Sequence, residues 1–132
     1  MAKSKKVIGR VITPGDVNVW PHEDLTAKSL AVAGFEVEFI RKSHRKGENS
    51  ADCLMNGEKW EMKAPRSAKL SAIEDNLKKA SKQANQVIFD SRRMHHIPDS
   101  AIKRELITKS HNNKSIIHLK FVNRHGKVVD IK

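Results

Sequence analysis

Asp52, Glu61 and Lys63 are the residues of this chain whose types and spacing best suit chemistry. They lie in the run S-A-D-C-L-M-N-G-E-K-W-E-M-K-A-P-R-S, residues 50–67, where Asn56-Gly57 separates two short segments of strand character. Asn-Gly is a strong hairpin signal, because both central positions of its turn need positive φ. With Met55 and Glu58 flanking the turn, Leu54 faces Lys59, Cys53 faces Trp60 and Asp52 faces Glu61. The period of two puts Leu54, Lys59 and Lys63 on the face of the acids. Ala51, Cys53, Met55, Trp60 and Met62 share the other face, a coherent buried side. Directly opposed like charges are unfavourable across a sheet. A divalent cation, which prefers carboxylate oxygen, would compensate them. Lys63 stands one pleat beyond Glu61, within reach of whatever that cation holds. An acid followed by acid-x-lysine on a hairpin suits phosphodiester hydrolysis. The plainer alternative is polar-out alternation on a solvated hairpin face.

The flanking pattern supplies the elements that must position these residues. From His22 the spacing is helical, with Ala27, Leu30 and Ala31 on one stripe and Gly34 closing the helix. Phe35, Val37 and Phe39 then alternate with Glu36 and Glu38 as a strand. Ahead of them Val11-Ile12 form a brief edge before Pro14-Gly15 turns the chain. Residues 41–49, R-K-S-H-R-K-G-E-N, form a basic loop, open to either plain solvation or phosphate contact. After Pro65, Leu70, Ile73, Leu77, Ala80 and Ala84 make a single apolar helical stripe, with a Ser71–Glu74 capping box if the helix begins there. Val87-Ile88-Phe89, ending in Asp90, is short and apolar enough for a buried central strand, with Arg92 and Arg93 just beyond it. A further helix runs from Pro98 to about Ser110, with Ile102 and Leu106 inward. Ile117, Leu119 and Phe121 then alternate, and after a turn at His125-Gly126 a hairpin closes through Val129 and Ile131.

A chain of 132 residues supports one domain over 1–132, with residues 1–8 a frayed basic start. Its 38% hydrophobic and 31% charged residues fit a globular protein and exclude a disordered one. The net charge of +11 favours polyanions as partners, nucleic acid or an acidic protein. No stretch approaches the roughly 20 apolar residues that span a bilayer, and none has the pattern of a signal peptide. Cys53 is the sole cysteine, so no internal disulfide forms and a reducing compartment is the natural place of action. The seven histidines are scattered. His95-His96 point apart, with no partner at metal spacing, and read as loop residues.

The order αβββαβ, with Asp52 on the second strand and Glu61-x-Lys63 on the third, resembles the PD-(D/E)xK nuclease superfamily over Glu23 to Arg93, with Ala51 where that name has proline. More closely, the chain is similar to the C-terminal toxin domains of contact-dependent growth inhibition proteins and related polymorphic toxins. It carries H-E, A-D, W-E-M-K, N-L-K-K-A-S-K-Q and V-I-F-D-S-R-R in the order those domains show. The resemblance implies an α/β fold: a restriction-endonuclease-like core with a mixed sheet, plus an appended C-terminal helix and β-hairpin. It implies Asp52, Glu61 and the main-chain carbonyl of Met62 as metal ligands, and Lys63 as the residue that orients or polarises the attacking water. Glu23 matches an extra acid serving the metal or its water. Lys82 and Gln83 match a helix bordering the site. Arg92 and Arg93 would hold flanking phosphates bidentately. Each of these has a plain alternative: Glu23 as a helix N-terminal acid, Lys82 and Gln83 as a wet helix face, the arginines as a solvated loop end.

The implied activity is that of a metal-dependent endonuclease, with Mg²⁺ the first expectation and Mn²⁺ or Zn²⁺ the alternatives. RNA, tRNA foremost, is the leading substrate and DNA the second. Such a toxin would be delivered into a target cell within a larger secreted protein and act in the cytoplasm. An acidic immunity protein would neutralise it. Two rival classes remain: a metal-independent ribonuclease using histidines as acid and base, and a non-catalytic nucleic-acid-binding module.

Overall fold

The computed structural model describes residues 8–41 and 51–132. The basic start over 1–7 and the basic loop over 42–49 lie outside the described residues. Strands β1 (Val11–Ile12), β2 (Val37–Phe39), β3 (Cys53–Met55), β4 (Glu58–Lys63), β5 (Gln86–Asp90), β6 (His118–Val122) and β7 (Val128–Asp130) form one mixed sheet in chain order. Helices α1 (Pro21–Val32), α2 (Ser71–Ser81) and α3 (Asp99–His111) make the crossovers for its three parallel pairs, β1–β2, β4–β5 and β5–β6. The pairs β2–β3, β3–β4 and β6–β7 are antiparallel. The expected core order is therefore present. The closing helix and hairpin follow it as expected, and they join the core because β6 pairs with β5 and extends the same sheet.

Local chemistry explains the joints. Asn56 at φ 50° and Gly57 at φ 84° make the tight turn, and the register Cys53↔Trp60, Leu54↔Lys59, Met55↔Glu58 is the one the sequence predicts. Gly34, at φ 102°, ends α1 in a Schellman arrangement: its N–H reaches the Ala31 carbonyl at 2.9 Å, and the Phe35 N–H reaches that of Leu30 at 3.0 Å. The helix after Pro65 departs from expectation at its start. Ser71 is its first helical residue and no side chain caps it. Glu74 is drawn away to Lys78 at 3.5 Å and Lys109 at 3.1 Å, the latter tying α2 to α3. Leu70, outside the helix, is 38% exposed and does not join the stripe. Near β6, Ile116 is buried and Ile117 half-exposed, so the inward alternation starts at Leu119.

The sheet buries both faces. Ile73, Leu77 and Ala80 of α2 and Ile102 and Leu106 of α3 pack against Val87, Phe89, Leu119 and Phe121. Ala27 and Leu30 of α1 share the second cluster with Val37, Phe39, Cys53, Trp60 and Met62. Trp60 is thus a core residue, as its place opposite Cys53 predicts. β5, between β4 and β6, is buried along its whole length.

Candidate active site

The hairpin delivers the acids with one change from simple pairing. Ladder pairing ends at Cys53↔Trp60, and the Asp52 N–H reaches that same Trp60 carbonyl at 3.1 Å. Asp52, just ahead of β3, and Cys53 at its start thus both meet Trp60 of β4, the two-against-one arrangement of a β-bulge. The bulge re-aims the Asp52 side chain, whose Oδ2 accepts the Met62 N–H at 2.8 Å. Asp52 does not simply oppose Glu61, as the unbroken register predicts. It is seated against the backbone between Glu61 and Lys63. Both acids are buried, at 5% and 4% exposure, and Lys63 Nζ lies 3.5 Å from Glu61 Oε2. A cleft of about 180 Å³ brings together Glu23, Asp52, Glu61, Met62 and Lys63, with Trp20 and Thr26 also in its wall.

Glu23 arrives from α1. Trp20 is the N-cap residue and Pro21 the first helical residue, a position that suits proline because its missing N–H has no helical partner there. Glu23 Oε1 accepts the Trp20 N–H at 3.0 Å, the carboxylate half of a capping box. Glu23 is therefore a helix-capping acid and a wall of the cleft at once. One turn on, the buried Thr26 hydroxyl donates to Asp90 Oδ2 at 2.6 Å, pinning α1 to the end of β5. Arg92 closes on the same carboxylate through Nε and Nη2, at 2.7 Å for the shortest contact. Asp90 thereby positions the helix that carries Glu23.

The remaining expected residues divide. Arg93 stands at the cleft end of the sheet, its Nη1 donating to the Ala64 carbonyl at 3.1 Å beside Lys63. Arg92 is there too, but its guanidinium fork is engaged by Asp90. Lys82 and Gln83 are not brought to the cleft. Because β4 and β5 are parallel, α2 runs back along the sheet, and its last residues reach the opposite end. There Gln86 Nε2 bonds the Lys59 carbonyl at 3.1 Å, whereas Lys63 lies opposite Phe89. Trp20 and Thr26 also line the cleft, although the periodic sequence pattern does not single them out. Trp-Pro directly ahead of a helix with Glu two residues further on is the signal for Trp20 at an N-cap.

The electrostatics register at Cys53. Burial pushes this thiol up to about 12, and the carboxylates of Asp52, Glu61 and Glu23 add to the shift. The three acids line one cleft, near enough to Cys53 to bear on its thiol. As donors they are hard oxygens in a recess, chemistry that suits Mg²⁺ or a similar ion. Among the described residues no group of three or more His, Cys, Asp or Glu side chains converges to hold an ion alone. The set instead fits the Mg²⁺ habit of one or two carboxylates with the shell completed by water and phosphate oxygen. Asp52 and Glu61 would be those two, and Met62, whose N–H binds Asp52, lines the same cleft.

By fold and site this is a mixed α/β domain with an acid–acid–lysine cluster at the end of its sheet. The chain belongs to the contact-dependent growth inhibition CdiA C-terminal domain family, whose profile matches residues 48–128. That span holds Asp52, Glu61 and Lys63 and begins after Glu23. Its fold is similar to that of the CdiA-CT/CdiI toxin and immunity complex from Burkholderia pseudomallei, with a TM-score of 0.70 and 17% identity, covering 93% of this chain and 99% of that one. A comparison with curated proteins finds no match. No helix among the described residues is long and apolar enough to cross a membrane.

Proposed function

We propose that this chain is the nuclease toxin domain of a contact-dependent growth inhibition protein, hydrolysing phosphodiester bonds of RNA, tRNA foremost, with a divalent cation. The observation that carries this reading is the gathering of Asp52, Glu61 and Lys63 in one cleft, with Glu23 across from them. When bound, the cation supplies Lewis-acid activation of water and shields the scissile phosphate. Asp52 and Glu61 would hold it. Lys63, kept near Glu61, orients the attacking water and stabilises the negative charge that develops on the phosphoryl oxygens. Glu23 can accept a proton from that water. Arg93 is placed to meet a neighbouring phosphate. The net charge of +11 suits a polyanionic substrate and an acidic immunity partner alike. Tethering to a larger secreted protein would deliver the domain to the cytoplasm of a target cell.

The test is cleavage of total tRNA and of plasmid DNA with Mg²⁺, Mn²⁺, Zn²⁺ or EDTA. Glu61→Ala and Lys63→Ala should each abolish cleavage while the protein stays folded and binds RNA. Full activity in either variant removes the reading. Cleavage that survives EDTA assigns the chemistry to metal-independent groups, and plasmid cleavage alone makes the domain a DNA endonuclease.

A further inference from the structure

A second cleft, of about 260 Å³, adjoins the first and shares Trp20, Glu23 and Asp52 with it. Its other walls include Asn18, Phe39 and Arg41. Trp20 is 68% exposed, unlike the buried Trp60, yet its backbone is firmly held. Its N–H is bound by Glu23, and its carbonyl accepts the N–H groups of Glu23 and Asp24, each at 3.0 Å. Pro21 follows directly. An exposed indole on a held backbone beside an open cleft is a ready stacking surface, because little ordering entropy is lost when a flat partner arrives. Phe39, 2% exposed, gives the recess an apolar floor. Asn18 and the Arg41–Asp16 ion pair give it a polar rim.

We propose that this second cleft is a nucleobase subsite. An unstacked base next to the scissile phosphate lies against the Trp20 indole, with Asn18 and Arg41 facing its hydrogen-bonding edge. The inference rests on the nuclease reading of the adjoining cleft. Flat, unpaired bases of RNA are characteristically taken up by aromatic stacking together with polar contacts to their edges. The net charge of +11 draws the strand that carries them. Asp52 and Glu23, shared by both clefts, set the base within one nucleotide of the reacting bond.

The experiment compares wild type, Trp20→Ala and Trp20→Phe on a single-stranded oligoribonucleotide cut at a mapped bond, and on the same strand made abasic beside that bond. Trp20→Ala should raise KM roughly 5- to 150-fold, the span of base–aromatic stacking, with kcat changed less. Trp20→Phe should keep most of the affinity. Wild type should lose a similar factor on the abasic strand, and Trp20→Ala should lose little more there. That non-additivity identifies the stack even if the alanine variant is less stable. If wild type cleaves but Trp20→Ala has an unchanged KM, the subsite is refuted and the nuclease reading stands. If cleavage is unchanged while affinity for the immunity protein falls, Trp20 is a protein-interface anchor and the subsite is refuted. If wild type cleaves neither RNA nor DNA with any metal, both readings fall together.

Discussion

Asp52 Oδ2 accepts the Met62 N–H where water scarcely reaches, so this carboxylate holds backbone as well as facing the cleft. Simple strand pairing sets Asp52 against Glu61, a repulsion of about 0.2–1 kcal/mol. The bulge converts part of that conflict into a hydrogen bond. Removing the acceptor strands a buried N–H, at a cost of about 1–3 kcal/mol. Asparagine keeps an amide oxygen there and sheds the charge. In EDTA, Asp52→Asn should therefore unfold near or above the wild-type temperature, and Asp52→Ala clearly below it, with both inactive. On the proposed metal role, excess Mg²⁺ or Mn²⁺ should raise wild type more than either variant, because an ion bound only to the native state stabilises it by mass action and the variants would lack one of its ligands. Thermal unfolding of the three proteins with and without metal decides the matter. Equal melting points in EDTA would deny the structural role, and equal gains with metal would deny the ligand role.

At the scale of elements, the cleft depends on α1, which is strung between β1 and β2 and carries Glu23 and Thr26, with Trp20 at its N-cap. β1 is only a two-residue edge, and its approach requires Gly9. The Gly9 N–H reaches the Ala31 carbonyl at 2.7 Å, and a Cβ placed there would sit 1.9 Å from the Phe35 carbonyl oxygen. Backbone on both sides cannot yield to that extent, so Gly9→Ala should detach β1. Hydrogen exchange should then quicken at the Val37 N–H, which bonds the Arg10 carbonyl at 2.8 Å, and cleavage should fall with it. Wild-type exchange at Val37 would show that β1 does not brace this end. The helices and the hairpin were legible in the sequence because periodicity and the Asn-Gly turn report them directly. The bulge was not, because one extra residue in a strand changes no composition and breaks alternation only at the strand's end. Trp20 stands outside the Ala27–Leu30–Ala31 stripe, so a search for periodic faces passes over it. Arg92 looks like a solvated loop end until Asp90, two residues earlier, is seen to fold back onto it. Lys82 and Gln83 fit the family resemblance by motif, but a helix joining two parallel strands must return along the sheet, which carries its C-terminal end away from Lys63.

Over the whole molecule, 26 lysines and arginines face 15 acids, and three of those acids are gathered at the cleft. The net charge of the body is accordingly positive while the cleft is lined by three acids. On the proposed function, a nucleic-acid strand would be attracted by the body and admitted to the cleft once a cation offsets the acids. Neutralising phosphates releases counterions, so affinity should fall steeply with salt. For about six contacted phosphates, binding of RNA by Glu61→Ala should weaken roughly 10³-fold between 50 and 200 mM salt. Stacking releases no counterions, so adding Trp20→Ala should lower the line of log affinity against log salt without changing its slope. Fluorescence anisotropy across a salt series measures both quantities. A nearly flat line would contradict nucleic-acid binding as a whole. A changed slope in the Trp20 variant would mean that the residue acts by placing charge against phosphate rather than by carrying a base.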